Sequence, residues 1–229
     1  MKFISVIPAR SGSKGVKNKN IFPLNKKPLI SYTFNAVKKS MIKNNFILTD
    51  NKKIKRIAKN FGINNDYERP KKLSQSNTSL IDTLFHFYKW TRKKSIYFDY
   101  MVVLQPTSPL RKHEDINRAC NLIKQNKHKS LFSISESLEH PYEVIDVKKG
   151  KWKHVLNKSK NFYRRQDFDI NSYFINGSIY IIHKNLIKRK KTYDARNHKL
   201  MITPKSRSLE INDLEDIKII KPLIRSFKI

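Results

Sequence analysis

The sequence predicts an α/β domain with a mostly parallel, twisted sheet that is flanked by helices. Apolar residues alternate between a strand-like and a helix-like period along the first part of the chain, which is the pattern of βαβ units. A length of 229 residues with 38% hydrophobic residues is enough for one such domain. We therefore expect residues 1–229 to form a single domain.

Strands and helices alternate up to about residue 135. The expected strands are Phe3–Ile7, Asn45–Leu48, Tyr100–Leu104 and Leu131–Ser135. The expected helices are Pro28–Lys39, Lys52–Phe61, Ser79–Lys93 and His113–Gln125. Pro28 suits the first turn of its helix, and Gly62 suits the end of the next helix. Because ligands of parallel sheets bind at the carboxyl ends of strands, the loops after the first and third strands form the candidate site.

The pattern changes after about His140. Two runs of β-forming residues, Glu143–Val147 and Lys151–Val155, flank the turn Lys148-Lys149-Gly150 and predict a β-hairpin. We interpret residues 140–172 as an excursion from the main sheet, and excursions of this kind often form lids or dimer contacts. The remaining expected elements are a strand at Ile175–Ile182, a strand at Ser208–Ile211 and a terminal helix from about Leu214.

The formal net charge of +31 raises the question of nucleic-acid binding. Lysines are spread along the whole chain, and the densest basic run is Lys188-Arg189-Lys190-Lys191. The sequence contains neither an aromatic RNA-binding motif nor zinc-finger spacing nor a heptad basic region. These patterns favour a diffusely basic surface, and a basic nucleic-acid-binding protein is the minor alternative.

Cys120 is the only cysteine, which excludes an internal disulfide and favours a reducing compartment. It lies in an apolar helical stretch, so we expect it to be buried. The sequence shows neither a signal peptide nor a membrane span, and we expect a soluble, cytoplasmic protein. The seven histidines show no paired spacing of metal ligands, and none is assigned to catalysis.

The loop after the first strand combines small residues with cations. It runs Pro8-Ala9-Arg10-Ser11-Gly12-Ser13-Lys14-Gly15 and is followed by Lys19 and Asn20. Glycines let backbone N–H groups approach an anion, and the cations add positive charge, so the natural ligand is a polyphosphate. The loop is neither a Walker A motif, because Gly15 follows Lys14, nor a GxGxxG motif. An ordinary βα turn with solvated lysines is the alternative.

Four more motifs follow in order along the chain. They are Glu68-Arg69-Pro70 with a Ser/Thr-rich stretch to Ser79, Leu104-Gln105-Pro106-Thr107-Ser108-Pro109-Leu110-Arg111, Arg164-Arg165-Gln166-Asp167 with Asn176-Gly177-Ser178-Ile179-Tyr180, and Glu210-Ile211-Asn212-Asp213. With the first loop, this set closely resembles the acylneuraminate cytidylyltransferase (CMP-sialic acid synthetase) family over nearly the whole chain. The resemblance implies a Rossmann-like nucleotidyltransferase fold and a homodimer formed through the excursion.

The resemblance also implies an enzyme and its reaction. CMP would be transferred from CTP to the anomeric hydroxyl of a nonulosonic, sialic-acid-like sugar acid, with release of pyrophosphate. A divalent cation, normally Mg²⁺, would bridge phosphate oxygens and stabilise the leaving group. CTP and the sugar acid are then the expected partners, without a specific nucleic acid or a membrane. Chemistry of this kind asks the protein mainly for positioning and charge neutralisation.

The family's nucleotide site corresponds to residues of the first two motifs. The resemblance gives catalytic roles to Arg10, Lys14 and Lys19. It gives contacts with CTP to Arg10, Ser11, Gly12, Ser13, Lys14, Asn20, Arg69, Thr78 and Ser79. Thr78 and Ser79 also suit the cap of the helix that follows them, and the two roles can coexist.

Five residues match those that the family places around the sugar acid: Gln105, Arg165, Gln166, Asn176 and Tyr180. Arg165 would suit the carboxylate of the acceptor, and Thr107, Ser108 and Arg111 would support the floor under Gln105. Phe174 stands where some sialic-acid enzymes carry an arginine, and the spacing from Arg165 is one residue longer. CMP-legionaminic or CMP-pseudaminic acid is therefore as consistent a product as CMP-N-acetylneuraminate.

The metal motif also departs from the family's pattern, which has an acidic residue, an apolar residue and then Asp. Here Glu210 and Asn212 point to the same side of an extended segment, so both could bind a metal ion, although Asn brings no charge. We predict Glu210 and Asn212 as ligands, with Asp213 as a substitute. Asn212-Asp213 also suits the cap of the last helix.

Two other interpretations stay open. A cytidylyltransferase for the eight-carbon acid Kdo usually has Ser-Thr-Arg-Leu-Pro in its first loop, which this chain lacks. A decayed or regulatory homologue would account for Asn212.

Overall fold

A computed structural model describes residues 1–12, 15–156, 164–168, 170–227 and 229. The strands described are β1 Phe3–Pro8, β2 Pro23–Leu24, β3 Lys27–Pro28, β4 Asn44–Leu48, β5 Tyr100–Val103, β6 Ser130–Glu136, β7 Ile145–Lys148, β8 Lys151–His154, β9 Tyr173–His183 and β10 His198–Ile202. The α-helices described are α1 Leu29–Lys39, α2 Lys52–Asn60, α3 Leu80–Lys93, α4 His113–Asn126, α5 Lys184–Lys188 and α6 Leu214–Ser226.

Six of these strands form one sheet in the order β10-β6-β9-β5-β1-β4. β1 pairs in parallel with β4 and β5, and β6 pairs in parallel with β10. β9 is antiparallel to both of its neighbours, β5 and β6. The predicted fold class, a mostly parallel sheet flanked by helices, is confirmed.

The helices predicted for the first part of the chain are found in the structure. The signals for them are local, because residues adjacent to each helix in the sequence cap its ends. Asn51 accepts a 2.8 Å hydrogen bond from the Lys53 amide at the start of α2, and Gly62 takes a φ of +68° just beyond its end. The Ser79 hydroxyl accepts the Asp82 amide at 3.2 Å and caps α3. The capping alternative for Ser79 is thus confirmed, and it does not depend on any ligand.

The hairpin is also found, with β7 and β8 joined by Lys149 and Gly150, which both have positive φ. One expected strand is wrong, because Ser208–Ile211 does not form one. Its Ser208 amide closes a turn on the Lys205 carbonyl, and the Ile211 amide donates to the Thr107 carbonyl at 2.9 Å. β10 occupies the position beside β6 in the sheet. Its sequence mixes lysine, histidine and apolar residues, so it lacks the clear alternation that predicts a strand.

Apolar side chains pack on both faces of the sheet. On one face Ile30 and Phe34 of α1 pack with Val102, and on the other Phe87 of α3 packs with Phe46. A smaller cluster joins α6 to the beginning of α1 and buries Ile211, which is 1% exposed. This cluster fixes the polar residues on either side of Ile211 against the sheet.

Cys120 lies in the first of these clusters, and burial raises the pKa of its thiol to about 12. Within the ranges given above, none of the helices combines the length and the apolar character needed to cross a bilayer.

Candidate functional site

The carboxyl ends of β1 and β5 bring the first and third motifs together with the last one. They surround a cavity of about 490 Å³. Its lining residues are Pro8, Arg10, Gly15, Lys19, Asn20, Ser76, Gln105, Pro106, Thr107, Glu210 and Asn212. Arg10, Lys19, Asn20, Gln105, Glu210 and Asn212 of this group were predicted as site residues from the sequence.

The first loop begins with an internal set of hydrogen bonds. The Arg10 guanidinium donates to the Gly12 carbonyl at 2.8 Å, and Gly12 has a φ of +72°. The Asn20 amide donates to the Arg10 carbonyl at 3.1 Å, so Asn20 holds the loop as well as lining the cavity. Ser13 and Lys14, which were predicted to bind the triphosphate, lie outside the described residues.

The end of the loop is docked on the segment before α6. The Lys19 ammonium donates to the Ile211 and Asn212 carbonyls at 3.0 and 3.2 Å. A Cβ atom added to Gly15 would lie 2.2 Å from the Asn212 carbonyl oxygen, so only glycine fits there. Burial lowers the pKa of Lys19, while Asp216 and Glu210 act in the opposite sense.

Arg111 supports the cavity from below. It is only 2% exposed, and it donates to the Gln105 carbonyl at 3.1 and 3.2 Å, to the Ser178 carbonyl at 2.6 Å and to the Thr33 hydroxyl at 2.7 Å. Its Nε is unpaired among the described residues. Burial lowers the pKa of Arg111 to about 10. The predicted support of the Gln105 floor by Arg111 is therefore seen as a direct contact with the backbone.

Glu210 lies in a tight, largely buried position. The Ser108 hydroxyl donates to its Oε1 at 3.2 Å, and a Cβ atom added to Gly177 would lie 2.0 Å from the same oxygen. Gly177 has a φ of +66°, so glycine is required there for both space and conformation. Burial raises the pKa of Glu210, and the Ser108 hydrogen bond and the charge of Arg111 oppose this.

The donors available for a metal ion are few. The described residues contain no cluster of three histidine, cysteine, aspartate or glutamate side chains. Glu210 and Asn212 line the cavity together, whereas the Asp213 carboxylate accepts the Glu215 and Asp216 amides at 2.9 and 3.0 Å and caps α6. One carboxylate and one amide fit an ion such as Mg²⁺ that takes its other ligands from substrate phosphates and water.

The three residues of the second motif that were predicted to contact CTP are not among those that line this cavity. Thr78 and Ser79 line a second cavity of about 510 Å³ at the start of α3. Arg69 is 6% exposed, and its Nε donates to the Leu73 carbonyl at 3.0 Å. Ser76, which lies between them in the sequence, lines the first cavity and was not singled out from the sequence.

The sugar-side residues are divided in the same way. Tyr180 is half-buried beside Gln105, and burial raises the pKa of its phenol while the neighbouring Gln105 side chain opposes this. Asn176 is 2% exposed and is held inside the fold: its amide donates to Ser135 and Thr203, and its carbonyl oxygen accepts from Ser133.

The other two residues of this group belong to a short 3-10 helix, Arg165–Asp167, on the excursion. Gln166 is exposed there, and it is not among the residues that line the cavity. The side chain of Arg165 lies outside the described part of the structure.

Asp50 is a second residue that the sequence pattern did not single out. It follows β4, and its carboxylate accepts the Ser11 amide at 2.8 Å and also the Ser11 hydroxyl. These Ser11 donors, predicted to bind CTP, are thus occupied by the chain itself. A polar residue at the carboxyl end of a strand next to β1 was the available signal, because all such ends meet at one edge of the sheet.

Comparison with known proteins places this geometry among nucleotide-using enzymes. A family model described as Cytidylyltransferase matches residues 4–222. The CMP-N,N'-diacetyllegionaminic acid synthase of Legionella pneumophila subsp. pneumophila is 31% identical over 222 residues, which cover 93% of this chain and 91% of that protein. The N-acylneuraminate cytidylyltransferase of Escherichia coli O18:K1:H7 is 31% identical over 223 residues, which cover 95% of this chain and 51% of that protein.

A solved structure has the same fold. It is CMP:2-keto-3-deoxy-manno-octonic acid synthetase complexed with CTP, which aligns over 99% of both chains with a TM-score of 0.73 and 14% sequence identity. At this identity the likeness concerns the fold alone.

Proposed function

Because this chain belongs to the cytidylyltransferase family and is a nucleotidyltransferase, we propose that it transfers CMP from CTP to the anomeric hydroxyl of a nonulosonic, sialic-acid-like sugar acid. Pyrophosphate is the second product. One observation carries the proposal: a single cavity joins the cationic loop after β1, Gln105 after β5, and Glu210 with Asn212 before α6. A triphosphate and an acceptor need such a meeting of cations, polar groups and a carboxylate.

In the proposed reaction, the anomeric hydroxyl oxygen attacks the α-phosphorus of CTP in line. A bond forms between this oxygen and the α-phosphorus, the bond from the α-phosphorus to the bridging oxygen of pyrophosphate breaks, and the hydroxyl proton is released. Arg10 and Lys19 lie where they can neutralise the phosphate oxygens, together with Lys14, which lies outside the described residues. Their task is electrostatic, since negative charge moves onto the leaving group.

The remaining nucleotide contacts are proposed from the loop and the segment before α3. Gly12, Ser13 and Asn20 would surround the triphosphate, and Arg69 would lie on the cytidine side. Ser11 is held by Asp50, and Thr78 and Ser79 face another cavity, so we propose that these three act behind the direct contacts. Ser76 is a better candidate for a direct contact, because it lines the first cavity.

Glu210 and Asn212 would hold Mg²⁺ together with phosphate oxygens of CTP. When bound, Mg²⁺ would offset the negative charge of the phosphates and help pyrophosphate to leave. The protein's own part is the rigid placement of Glu210, which Ser108 and Gly177 fix from two sides.

The acceptor is proposed as a class. Gln105 and its neighbour Tyr180 would contact the sugar, and Arg165 and Gln166 would approach it from the excursion. The relatives described above are named for different acids, one legionaminic and one acylneuraminic, and both names agree with a nonulosonic acceptor. Pseudaminic acid remains the third acceptor to be tested.

The test is a pyrophosphate-release assay with mass spectrometry of the nucleotide sugar. N-acetylneuraminic, N,N'-diacetyllegionaminic and pseudaminic acids and Kdo are each offered with Mg²⁺ and with CTP, UTP, ATP or GTP. We expect release only with CTP, Mg²⁺ and a nonulosonic acid together. A folded protein that makes no CMP-sugar from any of the three nine-carbon acids would refute the proposal.

Two loop variants test the role of the cavity. Arg10→Met should lower kcat/KM at least about 100-fold, because it removes a cation aimed at the transition state. Lys17→Met removes an exposed cation of the same loop that does not line the cavity, and it should change kcat/KM less than about threefold. Equal losses in the two variants would mean that the loop contributes only general charge.

We also propose a homodimer formed through the hairpin, and a cytoplasmic location. On one face of the hairpin Val147 lies opposite Trp152, and they are 62% and 64% exposed. Ile145, two residues before Val147 and on the same face, is 46% exposed. Contiguous exposed apolar side chains of this kind favour a protein contact. The free, buried Cys120 agrees with a reducing compartment.

A further inference from the structure

Asp50 connects the first loop to the neighbouring strand. Its two carboxylate oxygens accept the backbone N–H and the hydroxyl of Ser11, the former at 2.8 Å. The loop is thereby fixed at its second residue after β1, while the Ala9 amide continues the ladder by donating to the Leu48 carbonyl at 3.0 Å. The start of the loop thus keeps its position through contacts with the segment after β4.

Asp50 also lies near Arg69, which the proposed function places on the cytidine side. The amide of Arg69 donates to the carbonyl of Thr49, the residue before Asp50, at 3.3 Å. Burial lowers the pKa of the Arg69 guanidinium, while the charge of Asp50 acts in the opposite sense. Thr49 and Asp50 therefore contact both the first loop, through Ser11, and the segment that carries Arg69.

We propose that Asp50 is a positioning residue for CTP: it holds the first loop through Ser11 and sets the distance between the phosphate end and the cytidine end of the nucleotide site. The inference rests on the proposed function, since it assumes that CTP is the ligand. Asp50 does not touch the reacting atoms, and it acts through Ser11.

The sign of the expected effect distinguishes positioning from simple charge. A carboxylate near a triphosphate repels it, so on charge alone the removal of Asp50 would strengthen CTP binding. If Asp50 positions the loop, its removal weakens CTP binding, because the loop must then be ordered at the expense of binding free energy. Asn at position 50 keeps the size and one acceptor oxygen for the Ser11 amide, and its NH2 group can donate to the Ser11 hydroxyl oxygen, so it should restore the function that Ala loses although it removes the charge.

The experiment measures CTP binding by titration calorimetry with Mg²⁺ and without acceptor, on the full chain. We expect Asp50→Ala to raise the Kd at least about tenfold, Asp50→Asn to stay within about threefold of wild type, and Ser11→Ala to fall between them. Adding Ser11→Ala to Asp50→Ala should cause no further loss, because the hydroxyl has already lost its partner. The matched control is Asp66→Ala, which removes an exposed carboxylate that accepts from the Asn64 side-chain amide at 3.0 Å, and it should leave the Kd unchanged.

Tighter or unchanged CTP binding by Asp50→Ala would overturn the inference, and so would fully additive losses in the double variant. If Asp50→Ala does not fold, Ser11→Ala is compared with Asp50→Asn, which serves as the reference with a Kd near that of wild type. An unchanged Kd in Ser11→Ala then overturns the inference. A wild-type protein that binds no CTP would instead refute the proposed function, so the two failures are distinguishable. The KM of the acceptor should stay within about twofold in every variant, which a general loss of structure would not allow.

Discussion

The cavity edge of the sheet and the hairpin excursion are built in opposite ways. At the cavity edge, polar groups are buried and bonded to the chain itself, as Arg111 is to two carbonyls and a hydroxyl at 2% exposure. On the hairpin, apolar groups are exposed: Val147 and Trp152 are 62% and 64% exposed, and the opposite face carries Asp146 and Lys153.

The difference indicates which kind of binding partner suits each region. The cavity edge is held by hydrogen bonds within the chain, and it presents cationic side chains and oxygen atoms to a small, charged ligand. The hairpin has an amphipathic pattern with nothing to bury its apolar face among the residues described. Burial of this apolar face on association would be favourable, which is the basis for the proposed homodimer.

The largest expected effect tests buried against exposed arginine. Arg111→Met should lower the free energy of unfolding by about 2–5 kcal/mol, because it leaves the Gln105 and Ser178 carbonyls buried without a donor. Arg164→Met on the excursion breaks an exposed ion pair with Asp167 and should cost less than about 1 kcal/mol. Urea denaturation of both variants checks the contrast, and similar losses would remove it.

The second test compares two glycines. Gly15→Ala should reduce CTP-dependent turnover at least about 100-fold, about 2.7 kcal/mol, since the new Cβ would meet the Asn212 carbonyl oxygen at 2.2 Å and push the loop away from the segment before α6. Gly150→Ala in the hairpin turn meets no atom within 4 Å and carries only the strain of its φ of +76°. Steady-state kinetics should show near-normal turnover for Gly150→Ala. Comparable activity of the two variants would mean that the loop is not fixed at Asn212.

The third test addresses the hairpin alone. Trp152→Glu places a charge on the exposed apolar face and should raise the dimer dissociation constant at least about tenfold, about 1.4 kcal/mol, in sedimentation equilibrium. Lys153→Glu changes the opposite face of the same strand and is the matched control. A wild-type protein that stays monomeric at all concentrations would show that the exposed face has another use.

The smallest effect concerns acid. Burial lowers the pKa of His183 and of His198, so the folded protein binds these protons less readily than the unfolded chain does. Their contribution to stability is complete above the unfolded pKa of about 6.5 and is lost as the pH falls below it. Between pH 7 and 5 we expect a loss below about 1 kcal/mol per histidine, reduced in His183→Gln and His198→Gln. His183 and His198 lie on strands of the sheet. Over the same pH range we therefore expect the free energies of CTP binding and of dimerisation to weaken by no more than the free energy of unfolding does.

Local sequence patterns predicted most of the elements correctly. The helices from Leu29 to Asn126 follow from apolar spacing and from caps such as Asn51, because these signals act within a few residues of the chain. The prediction of a strand at Ser208–Ile211 is wrong because a short apolar run does not reveal which segment will accept hydrogen bonds from its backbone amides. β10 was missed because an edge strand needs only a weak alternation.

The candidate site was predicted in part. The rule that ligands bind at the carboxyl ends of strands brought Arg10 and Gln105 to the same edge, and the family resemblance added Glu210 as a metal ligand. Asn176 belongs to an equally clear motif, yet its amide is satisfied by Ser133, Ser135 and Thr203 inside the fold.

The sequence by itself determined the fold class, the family resemblance and the chemistry available at the cavity, because residue types and their periods are properties of the chain. Only the tertiary structure decided that Gly15 lies against Asn212 and that Asp50 holds Ser11. The physical reason is that a buried polar group must find a partner in space. Those partners come from distant segments, such as the 193 positions that separate Lys19 from Asn212.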